Sequence, residues 1–421
     1  MATTTAPTAP EAPAERPSFG VWLGRLLSPL VLPIGSILLA FLVGALIILL
    51  TGGDPLAAYL ALICGGTGLL CTGTVYPALQ ISETLVATIP LILTGLSVGI
   101  AFRGGLFNIG AEGQFIMGLI AANVIGVKLG SLPGLLLLPL VLLGGMLGGM
   151  VWGGIVGVLK ALTGAHEVVT TIMLNYIAIF FLEYLIVGGP LQLPHASSTS
   201  ASIADAARLA RLIPQTGQFL GLPGGVYRVH AGIFVALLAA AAFWFLLKRM
   251  SLGYEIRAVG QSQRAARYAG VNVRRTVIVT MLIAGAFSGL AGAVQMSGLV
   301  YNLTDVYSKD STGFTAIAVS LLGQNTAIGI VLSALLFGAL HVGGQFMQGQ
   351  AGVSGNLVDI LQALILFSIA ANFLRTLDWK RLPFLRNNAS RVTEAPPPAL
   401  PPLAESIGGG DSVAVDENRL G

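Results

Sequence analysis

Charge is what this sequence most lacks. Only 10% of its 421 residues are Asp, Glu, Lys or Arg, against about a quarter in a soluble domain. Between Pro29 and Ala101 the ionisable acids and bases come down to Asp54 and Glu83. That scarcity excludes an ordinary soluble fold, and a net charge of +4 offers no footing for nucleic acid. Metal chemistry is equally unsupported: His166, His195, His230 and His341 stand far apart, without paired-ligand spacing. The chain has no Gly-Lys dipeptide, so it lacks the phosphate-cradling loop of nucleotide hydrolases. If ATP powers this protein, another chain must bind it. A membrane-embedded enzyme would need a nucleophile, a metal site or paired carboxylates, and none is recognisable.

Cysteine is nearly absent too, and Cys64 and Cys71 are the whole complement. On a continuous helix they lie about 10 Å apart along the axis, too far to bridge. The spacing therefore favours two free thiols, with Gly65, Gly66 and Gly68 leaving open a bend that would permit a disulfide.

Apolar runs of the roughly 20 residues that cross a bilayer are what the chain has in abundance. They predict an all-α integral membrane protein of about ten spans, near 29–51, 83–103, 108–128, 133–160, 168–188, 231–247, 276–298, 313–331, 332–350 and 355–374. Residues 1–28 read as a disordered cytoplasmic segment, 29–374 as the transmembrane domain, and 375–421 as a mostly disordered cytoplasmic tail. Lys248, Arg249, Arg257, Arg264, Arg267, Arg274 and Arg275 crowd one connection, and Arg375, Lys380 and Arg381 follow the last span. Cytoplasmic connections attract Lys and Arg, so both segments read as cytoplasmic, and 52–82 and 189–230 as external.

Glycine is plentiful, 55 residues, and it is ordered. Gly145, Gly149, Gly153 and Gly157 recur every fourth residue, a ridge that lets helix backbones approach closely in lipid. An internal echo links AEGQFIMGLIAANV (111–124) with LGQNTAIGIVLSAL (322–335), as in transporters built from repeated halves.

Two segments carry function. The first is SLGYEIRAVGQSQRAARYAGVNVRRT, 251–276, far longer than a bare connection needs. Gly260 and Gly270 permit turns around a short helix near Ser262–Ala269, a compact surface for a soluble partner; an ordinary basic loop held by lipid headgroups is the competing reading. The second is GLFNIGAEGQF, 105–115, which places Asn108, Glu112 and Gln114 at membrane depth. Hydrocarbon cannot hydrogen-bond, so each needs a partner or water. Gly105, Gly110 and Gly113 allow a broken helix there, and irregular backbone is tolerated where protein or a wet cavity receives it.

EIRAVGQSQRAARYAG resembles the cytoplasmic coupling segment of ABC-transporter permeases of the branched-chain amino acid and simple-sugar superfamily. GLFNIGAEGQF is similar to the signature of its nucleoside (guanosine-type) subgroup, and AIAVSLLGQNTAIGIVLSALLFGAL (316–340) resembles a later span pair of that subgroup. The resemblance covers roughly Pro29 to Leu374. It implies a type II importer permease fold with inverted repeats, in the bacterial cytoplasmic membrane. The expected partners are an ABC ATPase subunit that binds the ATP, a second permease of the same or a homologous chain, an extracytoplasmic substrate-binding lipoprotein, and membrane lipid. Glu255, Arg257, Ala258, Gly260, Ala265, Ala266 and Gly270 match the coupling motif, with Ala265 and Ala266 small enough to sit against the ATPase.

Phe107, Asn108, Glu112, Gln114, Gln324 and Asn325 are then the residues expected to line or support the pathway. Their amides and rings suit a nucleoside's hydroxyls and base. For Glu112 a structural pin is favoured over solute contact, because a permanent carboxylate would hold a neutral solute too tightly. The alternatives are a simple-sugar permease or a secondary transporter carrying protons on Glu112; the latter has no use for a docking segment.

Overall fold

The structure is a computed structural model that describes residue 35 and residues 37–71, 77–213, 218–219, 222–223, 227–305, 311–354 and 356–376. The expectations for residues 1–28 and for the tail from 377 fall outside those residues. The chain divides into one unit over Met1–Leu374 and another over Arg375–Gly421, and the contacts given below lie in the first.

Helices account for nearly all the described structure, because a chain this apolar can satisfy its backbone in lipid only within each segment. In order they are α1 (Ile37–Leu50), α2 (Pro55–Thr67), α3 (Pro77–Arg103), α4 (Ala111–Lys128), α5 (Gly134–Thr163), α6 (Glu167–Ile186), α7 (Gly232–Arg249), α8 (Ser251–Gln261), α9 (Gln263–Tyr268), α10 (Val273–Gln295), α11 (Thr312–Leu322), α12 (Ala327–Ala351) and α13 (Asn356–Thr376). A two-residue antiparallel ribbon, β1 (Gln218–Phe219) with β2 (Leu222–Pro223), pairs Phe219 with Leu222. Among the described residues six helices are long and apolar enough to cross a membrane: α3, α5, α6, α7, α10 with its extension to Val300, and α12. This is a multi-pass membrane protein.

α3 stands at the centre, buried from Thr88 to Ala101 without interruption. Against it pack α2, α4, α7, α10, α11 and α12, while α5, α6 and α7 turn Leu135, Phe180 and Leu238 outward. The glycine ridge of α5 does what its period implies. A Cβ at Gly149 would run into the carbonyl oxygen of Gly285 on α10, and one at Gly289 into that of Gly145. The two backbones touch along this seam because no side chain intervenes.

Three expectations about elements are corrected. The stretch 52–82, read as an external connection, contains α2, which lies antiparallel to α12 with Gly66 against Ala339 and Leu62 against Gly343. The spans drawn at 313–331 and 332–350 are instead a short α11 of 11 residues and an α12 of 25 residues. They divide at the polar 323–326, where Gln324 (φ 53°) and Asn325 (φ 51°) take left-handed backbone and end the helix about eight residues before the expected boundary. Finally, Cys64 and Cys71 form a disulfide, their Cα atoms 4.9 Å apart. The helical spacing failed because α2 stops at Thr67: Gly68 (φ 71°) and Leu70 (φ 58°) turn the chain back on itself.

The molecule has two distinct ends. At one, α8 and α9 lie beyond Arg103, the last residue of α3. At the other, residues 191–211 and 227–230 form a cap. Ser200 N–H donates to the Leu303 carbonyl, Leu209 N–H to that of Ser297, and Asn123 Nδ2 to that of Ala201. The Arg208 guanidinium lies 4.4 Å from the Tyr301 ring centre, over its face. Buried against Gly298, the His230 ring accepts from Gly232 N–H. Burial, and then the charge of Arg211, hold its pKa down at about 4.

Candidate functional site

Between α3 and α4 the helix stops, and residues 104–110 cross to the start of α4 without helical structure. Several backbone groups freed by this break find partners in side chains. Asn108 Oδ1 accepts from Gly110 N–H, and Asn175 of α6 spans the joint, accepting from Gly113 N–H and donating to the Ile109 carbonyl. Ser288 of α10 donates to the Ala111 carbonyl. The side-chain amides of Asn108 and Gln114 bond reciprocally at 3.1 and 3.2 Å, with Ser97 Oγ closing the group. Asn108, Gln114, Asn175 and Ser97 are all buried.

Glu112 sits in the first turn of α4 and is 0% exposed. Its Oε2 accepts from Gly313 N–H at 2.6 Å, and Gly313 is in the first turn of α11. A Cβ on Gly313 would strike the Glu112 backbone, so the two helix starts meet in direct contact. Both N-termini direct positive partial charge toward this carboxylate, which supplies the capping acceptor that Ser311 does not. The bond joins the starts of α4 and α11.

α11 is held at its other end as well. Arg103 Nε donates to the Asn325 carbonyl at 2.9 Å and Nη2 to that of Gln324 at 3.1 Å, while Ser320 Oγ donates to Asn325 Oδ1. These bonds engage the left-handed residues that separate α11 from α12.

A cavity of about 390 Å³ lies between α3, α10, α11, α12 and α13. Gln295, Thr312, Thr315, His341, Gln345 and Gln362 give it a polar lining, with Asp359 on α13. Glu83 and Arg228 stand at its cap end in a two-pronged ion pair, Arg228 Nε lying 2.9 and 3.1 Å from the two carboxylate oxygens. Pro90 also lines it; having no N–H, it leaves the Val86 carbonyl without its helical donor beside the space. α10 reaches this wall through Gln295 and then loosens into a π-helical turn, Met296–Val300, a form common at functional sites.

None of the six residues expected on the pathway lines this cavity. Phe115 is buried and Phe107, edge-on to Phe102 with ring centres 4.9 Å apart, lies in the break. Gln324 and Asn325 lie near the α8 end, where Asn325 borders a smaller space of about 110 Å³ with Arg103 and Arg257. The cavity residues had a signal that went unused: His341 and Gln345, and Asp359 and Gln362, are polar pairs at helical spacing on apolar helices.

The basic segment forms α8 and α9, joined at an extended Ser262 whose side chain caps α9. Gly270 (φ 82°) makes the turn after α9. Gly260 makes none: it is inside α8, where a Cβ would collide with the Arg103 carbonyl and where its Cα and carbonyl lie against Gly105. Glu255 accepts from Thr276 Oγ1, Arg257 donates to the Gly253 carbonyl of its own helix, and Ala258 packs against the core. Ala266, expected with Ala265 to meet a partner, is 2% exposed and faces the transmembrane body. Ala265, Arg264 and Arg267 are exposed, and Tyr268 is 94% exposed.

Residues 95–99, GLSVG, do carry the G-x-S-x-G spacing of a nucleophile elbow. They lie mid-helix in α3, whereas the elbow requires a strand-to-helix turn. Among the described residues no cluster of His, Cys, Asp and Glu is arranged to hold a metal.

A bundle with a central broken helix, a polar cavity and a basic surface at one end defines a membrane transport subunit. Residues 80–370 match the family described as branched-chain amino acid transport system, permease component, and the chain belongs to that family; it is a transport component and not an enzyme. Over 349 residues it is 39% identical to the guanosine ABC transporter permease protein NupP of Bacillus subtilis, covering 83% of this chain and 95% of that protein. It is 35% identical over 347 residues to the nucleoside ABC transporter permease protein NupB of Lactococcus lactis, covering 81% and 91%. The glucose ABC transporter permease protein TsgB13 of Haloferax volcanii is also 35% identical, over 348 residues, covering 82% and 88%. No solved structure gives a significant match.

Proposed function

We propose that this chain is the permease subunit of an ATP-binding cassette importer that moves nucleosides across a bacterial cytoplasmic membrane. The α8–α9 end faces the cytoplasm, where Ala265 and Tyr268 dock a separate subunit that binds and hydrolyses ATP. The cap end faces outward and receives solute from a substrate-binding lipoprotein. A second permease, identical or homologous, completes the pathway. The fold is the ten-span type II arrangement, with the breaks at 104–110 and 323–326 as equivalent points of inverted repeats.

One observation carries this reading. The polar cavity is floored by Thr312 and Thr315 of α11, and that helix is bonded at both ends to residues flanking the break on which α8 rests. Contacts running from α8 through the break to α11 and the cavity support this reading. Amides, hydroxyls and an imidazole suit a neutral, hydroxyl-rich solute. The test is uptake of labelled guanosine into proteoliposomes holding the assembled complex, with ATP supplied on the ATPase side. ATP-dependent uptake competed by other nucleosides supports the proposal, and no uptake with ATP contradicts it. The similarity to a glucose permease favours a sugar as the second reading; competition by glucose and not by nucleosides would establish that one instead.

A further inference from the structure

α11 is bonded near both ends to residues flanking one non-helical link. Its first turn is held through Gly313 by Glu112, just after the 104–110 break. Its C-terminal link is held through the Asn325 and Gln324 carbonyls by Arg103, just before the break. An 11-residue helix is about 16 Å long, so the break acts along its full length. The outer face of the same helix carries Thr312 and Thr315 into the cavity.

The break has a third contact. Gly260 of α8 lies with its backbone against Gly105, close enough that a Cβ would collide with the Arg103 carbonyl. Backbone against backbone leaves no flexible side chain to absorb a displacement. Tilting of α8 must therefore move Arg103, and with it the end of α11. Arg103 is well suited to this: its fork donates to two carbonyls in fixed geometry, which a lysine cannot reproduce.

Resting on the importer reading above, we propose that Arg103 is a positioning residue which, with Glu112, clamps α11 to the α3–α4 break, so that movement of α8 is passed to the cavity floor. α11 is then the gate, and Arg103 is the joint between ATP hydrolysis and solute movement. Arg103 lies between α8 and α11 and does not line the cavity, so its loss uncouples the two activities without removing either.

The assembled complex in proteoliposomes tests this with three readouts: ATP hydrolysis, solute taken up per ATP, and the rate at which an impermeant thiol reagent labels Thr312→Cys with and without a non-hydrolysable ATP analogue. Wild type must first show ATP-dependent uptake; its failure would sink the importer reading and not this one alone. Given that uptake, Arg103→Gln should keep hydrolysis within about twofold of wild type. Its uptake per ATP should fall at least tenfold, and the nucleotide-dependent change in Thr312→Cys labelling should vanish. Gly260→Ala, whose added Cβ wedges α8 against the Arg103 carbonyl while the Arg103 side chain is kept, should give the same pattern and serves if the Arg103 variant does not assemble. Arg103→Lys should restore only part of the coupling. Normal uptake per ATP and normal labelling in either Arg103→Gln or Gly260→Ala would overturn the proposal.

Discussion

Two regions of this molecule hold amide side chains inside an apolar bundle, and they use them in opposite ways. In the break around Asn108 and Gln114 the amides are spent on one another, on Ser97 and on backbone, and both side chains are buried. Along the cavity, Gln295, Gln345 and Gln362 border an open volume of about 390 Å³. An amide that is already satisfied and buried fixes a backbone; one facing a cavity can exchange partners with water or solute. Residue type does not distinguish a strut from a contact. The occupancy of its hydrogen bonds does.

The sharpest way to break the comparison is to remove one amide from each region. Asn108→Ala strands the Gly110 N–H and one side of the Gln114 amide, at roughly 1–3 kcal/mol for each buried group. It should lower stability by on the order of 3 kcal/mol, read as a fall in the melting temperature of the detergent-solubilised protein and in the yield of assembled complex. Gln345→Ala removes an exposed partner of His341 and should change stability by less than about 0.5 kcal/mol. Its uptake should nonetheless fall by about two- to tenfold, the worth of one hydrogen bond. Equal effects on melting from the two substitutions would erase the distinction.

A second buried polar group, in the cap, sharpens it through pH. Free imidazole titrates near 6.5, whereas His230 in the folded protein titrates at about 4. The unfolded chain therefore takes up a proton on falling below 6.5 while the folded chain does not. Stability contributed by neutral His230 is complete above pH 7, declines from 6.5 to 4, and is flat below. The loss amounts to on the order of 3 kcal/mol. Melting curves of wild type and His230→Gln across this range should converge toward the acid end; parallel curves would show that His230 does not titrate with unfolding.

At the disulfide the expected effect is on stability and not on uptake. Closing a loop of sequence separation 7 restricts the unfolded chain by about 2–3 kcal/mol in the chain-entropy account. Cys64→Ala with Cys71→Ala should lower melting by no more than that and leave uptake intact, since α2 remains packed on α12 through Gly65 and Gly66. Loss of uptake without loss of stability would give the bridge a role in transport.

Much of this was legible in the sequence, for reasons that differ by element. The apolar runs and the Arg-rich connection follow from solvent and charge alone, and so did the glycine seam of α5, because close helix approach leaves a strict period. The break at 104–110 showed itself by polar residues and glycines placed where hydropathy forbids them. The division of α11 from α12 was misplaced: Gln324, Asn325 and Thr326 interrupt the apolar stretch, but the left-handed backbone that ends the helix there belongs to conformation and not to hydropathy. The bonding of Glu112 to Gly313 did not show itself, because the two are distant in sequence and joined only by the fold. The cavity was missed because its polar residues are scattered over α3, α10, α11, α12 and α13, and become a lining only when those helices assemble.

The central claim is that Glu112 braces two helix starts and carries no proton. It is tested most directly by uptake into proteoliposomes of the assembled complex, with ATP and a pH gradient varied independently, in wild type and Glu112→Gln. A glutamine keeps an oxygen to accept from Gly313 N–H; it gives up the negative charge, worth up to about 2 kcal/mol between two helix N-termini, and turns the other oxygen into an NH2 donor. The account predicts uptake that depends on ATP, ignores the pH gradient and largely survives the substitution. Uptake driven by the gradient alone, and abolished in Glu112→Gln, would contradict it.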